Sequence, residues 1–156
     1  MTATLVIVRH GQSQANKDNV FTGWSDAPLT KLGIQQGKQV GDQLAKLGLQ
    51  FDDVHVSYMQ RAIITANLIL EKIDQLWLPI HKTWRLNERH YGALSGLNKD
   101  AVKKEVGAAT LHQWRRGFLK RPPMLKKRTH ERRYDRLGVM VPLSESLKMT
   151  QERLLP

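Results

Sequence analysis

Cysteine is absent from the 156 residues, so no disulfide framework and no thiol chemistry enters the reading, although this absence leaves the compartment undecided. Long apolar runs are missing as well: the longest, at residues 5–8 and 68–70, fall far short of the roughly 18 residues that a membrane span requires. The N-terminus lacks the basic start, apolar stretch and small-residue cleavage site of a secretory signal, because its first apolar run already reads as a core strand. A cytoplasmic chain without a membrane partner is the expectation. Low-complexity tracts and internal repeats do not occur. Acidic residues are scarce in the second half: residues 1–80 hold 7 Lys/Arg and 7 Asp/Glu, whereas residues 81–156 hold 18 and 7, which accounts for the whole formal net charge of +11. From Gln113 to Arg136 the count is 10 basic to 2 acidic. A charge run of this kind is most often a solvated loop. The sharper readings are a lid over an anionic substrate and, less favoured, a nucleic-acid patch.

What is present suits one globular domain. Hydrophobic residues make up 40% and charged residues 25%, and a chain of this length buries roughly 68–70% of its unfolded surface. Residues 1–156 are therefore read as a single domain. Thr4-Leu5-Val6-Ile7-Val8 is β-branched-rich without alternation, which predicts a parallel strand buried on both faces. Thr30 is a candidate N-cap for a helix to about Leu47, with Gly48 as its stop. Gly33, Gly37 and Gly41 recur on one face of that helix, which lowers propensity but permits close packing. A second strand is predicted at 54–56, a helix from about Met59 to Ile73, and a third strand at 80–82. Asn98 is a candidate cap for helical stretches reaching about Arg116, followed by a long proline-containing loop and a last helix starting near Ser144. The alternation predicts an α/β fold, a mostly parallel sheet flanked by helices, with ligands at the carboxyl ends of the strands.

Arg9-His10-Gly11 stands at one such end, and the segment from Ser57 to Arg61 at another. Histidine is a competent phosphate acceptor, since one neutral ring nitrogen attacks while the other is held by a hydrogen bond. Phosphoryl transfer needs mainly positioning and charge stabilisation, which arginine forks supply. Alone, these three residues are a weak signal, and an Arg-His pair at a strand end is more often surface decoration.

Longer segments add to it. Arg9-His10-Gly11-Gln12-Ser13-Gln14-Ala15-Asn16, Phe21-Thr22-Gly23-Trp24, the run from Leu86 to Lys99 that contains Asn87-Glu88-Arg89-His90-Tyr91-Gly92, and Trp114-Arg115-Arg116-Gly117-Phe118 together resemble the cofactor-dependent phosphoglycerate mutases of the histidine phosphatase superfamily. The Arg-His-Gly triplet marks the superfamily, and the segments around Glu88 and Arg115 point to the mutase branch. The resemblance implies that His10 is the phosphorylated nucleophile, that Arg9 and Arg61 grip the phosphoryl group, and that Glu88 is the proton donor and acceptor. It further implies substrate contacts from Ser13, Asn16, Thr22, Gly23, Arg89, Tyr91, Lys99, Arg115 and Arg116. The implied reaction interconverts 3-phosphoglycerate and 2-phosphoglycerate in glycolysis, with 2,3-bisphosphoglycerate as the priming phosphate donor, a small anionic phosphoglycerate as partner, and no metal. A homo-oligomer is left open.

The resemblance also carries an expectation of incompleteness. The family continues through a strand that leads to a second histidine in a Gly-His-Gly-Asn type turn, and this sequence contains no such turn. That strand lies between those predicted at 4–8 and 54–56, so its absence is expected to leave a slot with unpaired backbone, and transfer is expected to be impaired. Competing functions are a phosphatase of the same superfamily and a non-catalytic remnant or binding protein. Packing or solvation are even alternatives for Tyr91 and Lys99, an ion pair with Arg89 is the alternative for Glu88, and Trp24, Trp77, Trp84 and Trp114 are read as packing residues.

Overall fold

The computed structural model describes residues 3–124. Its first helix, α1 (Gln14–Lys17), is one turn long and is started by Ser13, whose hydroxyl accepts from the Asn16 N–H while the Asn16 side chain accepts from the Ser13 N–H. This reciprocal capping satisfies two otherwise orphaned donors. Helix α2 (Lys31–Lys46) begins where expected: the Thr30 hydroxyl accepts from the Gly33 N–H at 3.1 Å. It ends with Gly48 in the left-handed region, at φ +61°, where a glycine avoids the Cβ penalty.

The parallel sheet is formed by β1 (Val54–Val56) and β2 (Ile80–Lys82), in the register Val54 to Ile80, His55 to His81 and Val56 to Lys82. Helix α3 (Gln60–Lys72) connects them and packs along α2. The glycine face of α2 explains that contact, because a Cβ added at Gly41 would stand 2.6 Å from the Lys72 Cβ, and one at Gly37 3.1 Å from the Leu68 Cδ1. Leu44, Ile69, Leu70, Ile73 and Leu78 form the core beneath the sheet, joined by Val6, Val40, Leu49, Phe51, Val54 and Ile80. Each fully buried side chain of this kind stabilises the fold by roughly 1.5–3 kcal/mol. The buried Gln75 amide joins the edge of this core to the chain before β1, accepting from the Phe51 N–H and donating to the Phe51 carbonyl.

A second core gathers Phe21, Tyr91, Leu94, Val102 and Leu111, with Val106 and Trp114 against it. Here α4 (Lys99–Val106) and α5 (Ala108–Arg116) meet at Gly107, which breaks the helix at φ +82°. Asn98 caps α4 as expected, its side-chain oxygen accepting from the Asp100 and Ala101 N–H groups. Short 3-10 turns at Trp84–Leu86 and Gly92–Leu94 carry the chain from the sheet to this second core.

Two expectations are corrected. Residues 4–8 form no strand: Leu5 is 82% and Ile7 85% exposed, and only Val6 reaches the core. The physical reason is that nothing among the described residues pairs with their backbone, and β1 is hydrogen-bonded to β2 alone. Among the described residues β1 therefore pairs along one edge only. Trp77, expected to pack, is 73% exposed, because it lies in the turn between α3 and β2. The expected helix near Ser144 lies outside the described residues, as does the part of the basic loop from residue 125 onward.

Candidate active site

His10 follows the exposed run and is half-buried where that run turns under α2 and α3. Its Nδ1 lies 2.7 Å from the Gly11 carbonyl. A carbonyl only accepts, so Nδ1 carries the proton and the lone pair is left on Nε2. Toward that lone pair the Arg61 Nε–H donates at 3.3 Å. Burial lowers the imidazole from its ordinary value of 6.5; the Arg61 and Arg9 charges push the same way, against the Gly11 hydrogen bond and Glu88. The ring is therefore neutral and nucleophilic near pH 7.

Arg61 is the centre of the arrangement. It is 1% exposed and stands in the first turn of α3, directed inward. Its guanidinium donates to His10 Nε2, to the Ser25 carbonyl at 2.9 Å, to the Gly23 carbonyl at 2.9 Å and to Glu88 Oε2 at 3.1 Å. One cation thereby ties the nucleophile, the 23–25 loop and the acidic side chain together. Glu88 is 40% exposed, so the carboxylate meets both the guanidinium and the solvent from which a ligand arrives. Its partner is Arg61 rather than the neighbouring Arg89, whose Nη1 donates to the Trp114 carbonyl.

Around this centre the remaining candidates fall into two groups. Arg9, Lys99, Arg115 and Arg116 are positive charges close enough to act on one another or on the site. Lys99 is lowered by burial and by Arg115 and Arg9. Tyr91 is raised by burial and by Glu88, against the pull of Arg115, Arg116 and Arg89. Tyr91 also packs on Phe21, ring centroids 4.9 Å apart, and the Lys99 ammonium lies 6.0 Å from the Phe21 ring, so both have a packing role as well as a place near Glu88. The other group is occupied within the protein: Ser13 and Asn16 cap α1, Thr22 is buried, and Gly23 accepts from Arg61.

Three residues with no site role expected from the sequence hold this constellation. The Trp24 indole N–H donates to the Glu88 carbonyl at 2.8 Å. Thr65 and Gln36 hold the backbone of Gly11 and Gln12. The signal available for Thr65 was its place four residues after Arg61, on the same helix face; Trp24 stands in the Phe21-Thr22-Gly23-Trp24 segment and reads from the sequence as a packing residue, and Gln36 offered no signal.

Comparisons with known proteins identify the family. A histidine phosphatase superfamily (branch 1) profile matches residues 5–151, and the chain belongs to that superfamily. It is 52% identical to 2,3-bisphosphoglycerate-dependent phosphoglycerate mutase 2 of Lactobacillus johnsonii, over 99% of this chain and 68% of that protein. It is 50% identical to 2,3-bisphosphoglycerate-dependent phosphoglycerate mutase 1 of Latilactobacillus sakei, over 99% of this chain and 66% of that one. The chain thus spans about two thirds of the length of these curated relatives. Among solved structures, the alpha-ribazole phosphatase from Shigella flexneri is similar, with a TM-score of 0.59 and 31% identity over 74% of this chain and 55% of that one. The α/β class expected from the sequence is the fold of the superfamily.

Proposed function

We propose that this chain is built for the phosphoryl transfer of a 2,3-bisphosphoglycerate-dependent phosphoglycerate mutase, with His10 as acceptor and donor of phosphate between the 3- and 2-positions of phosphoglycerate. The observation that carries the reading is the His10–Arg61–Glu88 chain: an imidazole with its Nδ1 proton committed to Gly11, facing a buried guanidinium that also holds a carboxylate. In this reading His10 Nε2 attacks phosphorus, the phosphorus–oxygen bond to the leaving hydroxyl breaks, and Glu88 returns a proton to that oxygen. Arg9 and Arg61 offset the charge of the transferring oxygens. Arg115, Arg116 and Lys99 hold the far end of the anionic substrate.

The donor set also fits the priming group. Burial lowers both Lys99 and His10, and nearby positive charge, Arg115 and Arg9 on the one and Arg61 and Arg9 on the other, pushes the same way; a bound polyanion offsets that charge. When bound, 2,3-bisphosphoglycerate supplies the phosphoryl group that loads His10. Loading and turnover are to be measured separately. A cytoplasmic location and a phosphoglycerate partner belong to the same proposal.

A second reading, hydrolysis, is supported by the likeness to the alpha-ribazole phosphatase of Shigella flexneri. Acid-labile labelling of His10 by 2,3-bisphosphoglycerate, followed by assay of 2-phosphoglycerate and free phosphate from 3-phosphoglycerate, tests both. Labelling lost in His10→Asn with 2-phosphoglycerate formed supports the mutase. Labelling with phosphate as the sole product supports the phosphatase, and an unlabelled ring rejects both.

A further inference from the structure

The turn from His10 to Gln12 is held by side chains that the proposed chemistry leaves unused. The Gly11 N–H donates to Thr65 Oγ1 at 3.2 Å, and the Gln12 N–H donates to Gln36 Oε1 at 2.8 Å. These N–H groups belong to consecutive peptide units. The second unit carries the Gly11 carbonyl that takes the Nδ1 proton of His10, so Gln36 grips one end of the peptide whose other end sets the ring tautomer. The first unit is tied differently. Thr65 is buried, and its hydroxyl donates to the Arg61 carbonyl at 2.7 Å, which fixes the peptide to the helical turn bearing the Arg61 guanidinium.

Among the described residues, packing restrains one side of this turn. A Cβ at Gly11 would meet the Gly33 carbonyl, and one at Gly33 the Gln12 carbonyl, so the turn rests backbone to backbone on the first turn of α2. The other side borders a cavity of about 310 Å³, which His10, Gln36, Thr65 and Val40 help to line. With no side chain of the described residues filling that space, hydrogen bonds are what oppose rotation of the two peptides.

We infer that Gln36 and Thr65 are positioning residues for His10, which keep Nδ1 protonated and Nε2 directed at Arg61 and the incoming phosphorus. Neither touches reacting atoms. The catalytic consequence rests on the phosphohistidine reading, whereas the effect on the imidazole rests on geometry alone.

The test uses the full 156-residue chain labelled with 15N in its histidine rings, with His10 assigned by comparison with His10→Asn. In the unaltered chain the His10 nitrogens report the Nδ1–H tautomer. Gln36→Leu and Thr65→Val, which remove the acceptors, are expected to draw the two nitrogen shifts together as tautomers mix; Gln36→Glu and Thr65→Ser, which keep an oxygen acceptor, retain the original shifts. Loading by 2,3-bisphosphoglycerate is expected to slow in the Leu and Val variants by on the order of ten- to a hundredfold, with little change in the half-saturating donor concentration. The inference is overturned if either variant, folded by circular dichroism, leaves the His10 shifts unchanged, or if the Glu and Ser variants lose them equally. Should Gln36→Leu not fold, the isosteric Thr65→Val decides by the same readout. Absence of loading in the unaltered chain would reject the phosphohistidine reading, and the nitrogen shifts would still decide the positioning role.

Discussion

Arg61 shows how much one side chain can be asked to do. Its donors hold two loop carbonyls, the imidazole and the Glu88 carboxylate, so removing it strips partners from buried acceptors and takes away a cation that lowers His10. Arg61→Leu is expected to destabilise the chain by about 3 kcal/mol, read from urea unfolding, and an NMR titration of that variant is expected to place the His10 pKa closer to 6.5. The pH dependence follows from the same direction. Because the folded pKa lies below the unfolded one, the unfolded chain binds more protons in the interval between them, so stability falls as pH drops from about 6.5 through the folded value. Stability curves at stepped pH should show that loss, and His10→Asn should remove its part of it. Loading of His10 should likewise persist at pH values where a free imidazole is already protonated.

Helix ends and helix faces were the most legible elements, because they are set by local chemistry. Thr30, Gly48 and Asn98 cap or stop helices through bonds to backbone a few residues away, and such bonds can be read from residue type alone. Thr30→Ala is accordingly expected to cost about 1 kcal/mol in thermal or urea unfolding. The glycine repeat was legible as a close-packing face. There the expected balance favours space over propensity: an alanine at Gly41 gains about 1 kcal/mol of helix propensity, yet its Cβ would stand 2.6 Å from the Lys72 Cβ. Forcing α2 and α3 apart costs roughly 1–3 kcal/mol, so Gly41→Ala is expected to melt below the parent chain. The run at 4–8 was misread for the complementary reason. Its β-branched composition specifies an extended backbone, but whether it joins a sheet depends on a neighbour distant in sequence. The site divides in the same way. His10, Arg61 and Glu88 stand in motifs, whereas Gln36, Thr65 and Trp24 act through backbone contacts that only the folded chain reveals.

At the scale of the whole molecule, one core packs on the narrow sheet and a second gathers around α4 and α5, and the reactive ring lies where α2 and α3 meet the first segment. Among the described residues Leu5 and Ile7 are exposed and β1 pairs with β2 alone, a combination that favours self-association. Leu5→Lys and Ile7→Lys are expected to change stability by no more than about 0.5 kcal/mol while reducing light scattering of concentrated solutions; a large loss of stability would show that these side chains are buried in solution.

The segment leading to His10 also sets how the ring is anchored mechanically. Amides at 4–8 have no backbone acceptor among the described residues, so they are expected to trade hydrogen for deuterium faster than those inside α2 and α3. The nucleophile therefore hangs from a tether that resists little pull, and its fixed address comes from the two helices that clasp the turn after it.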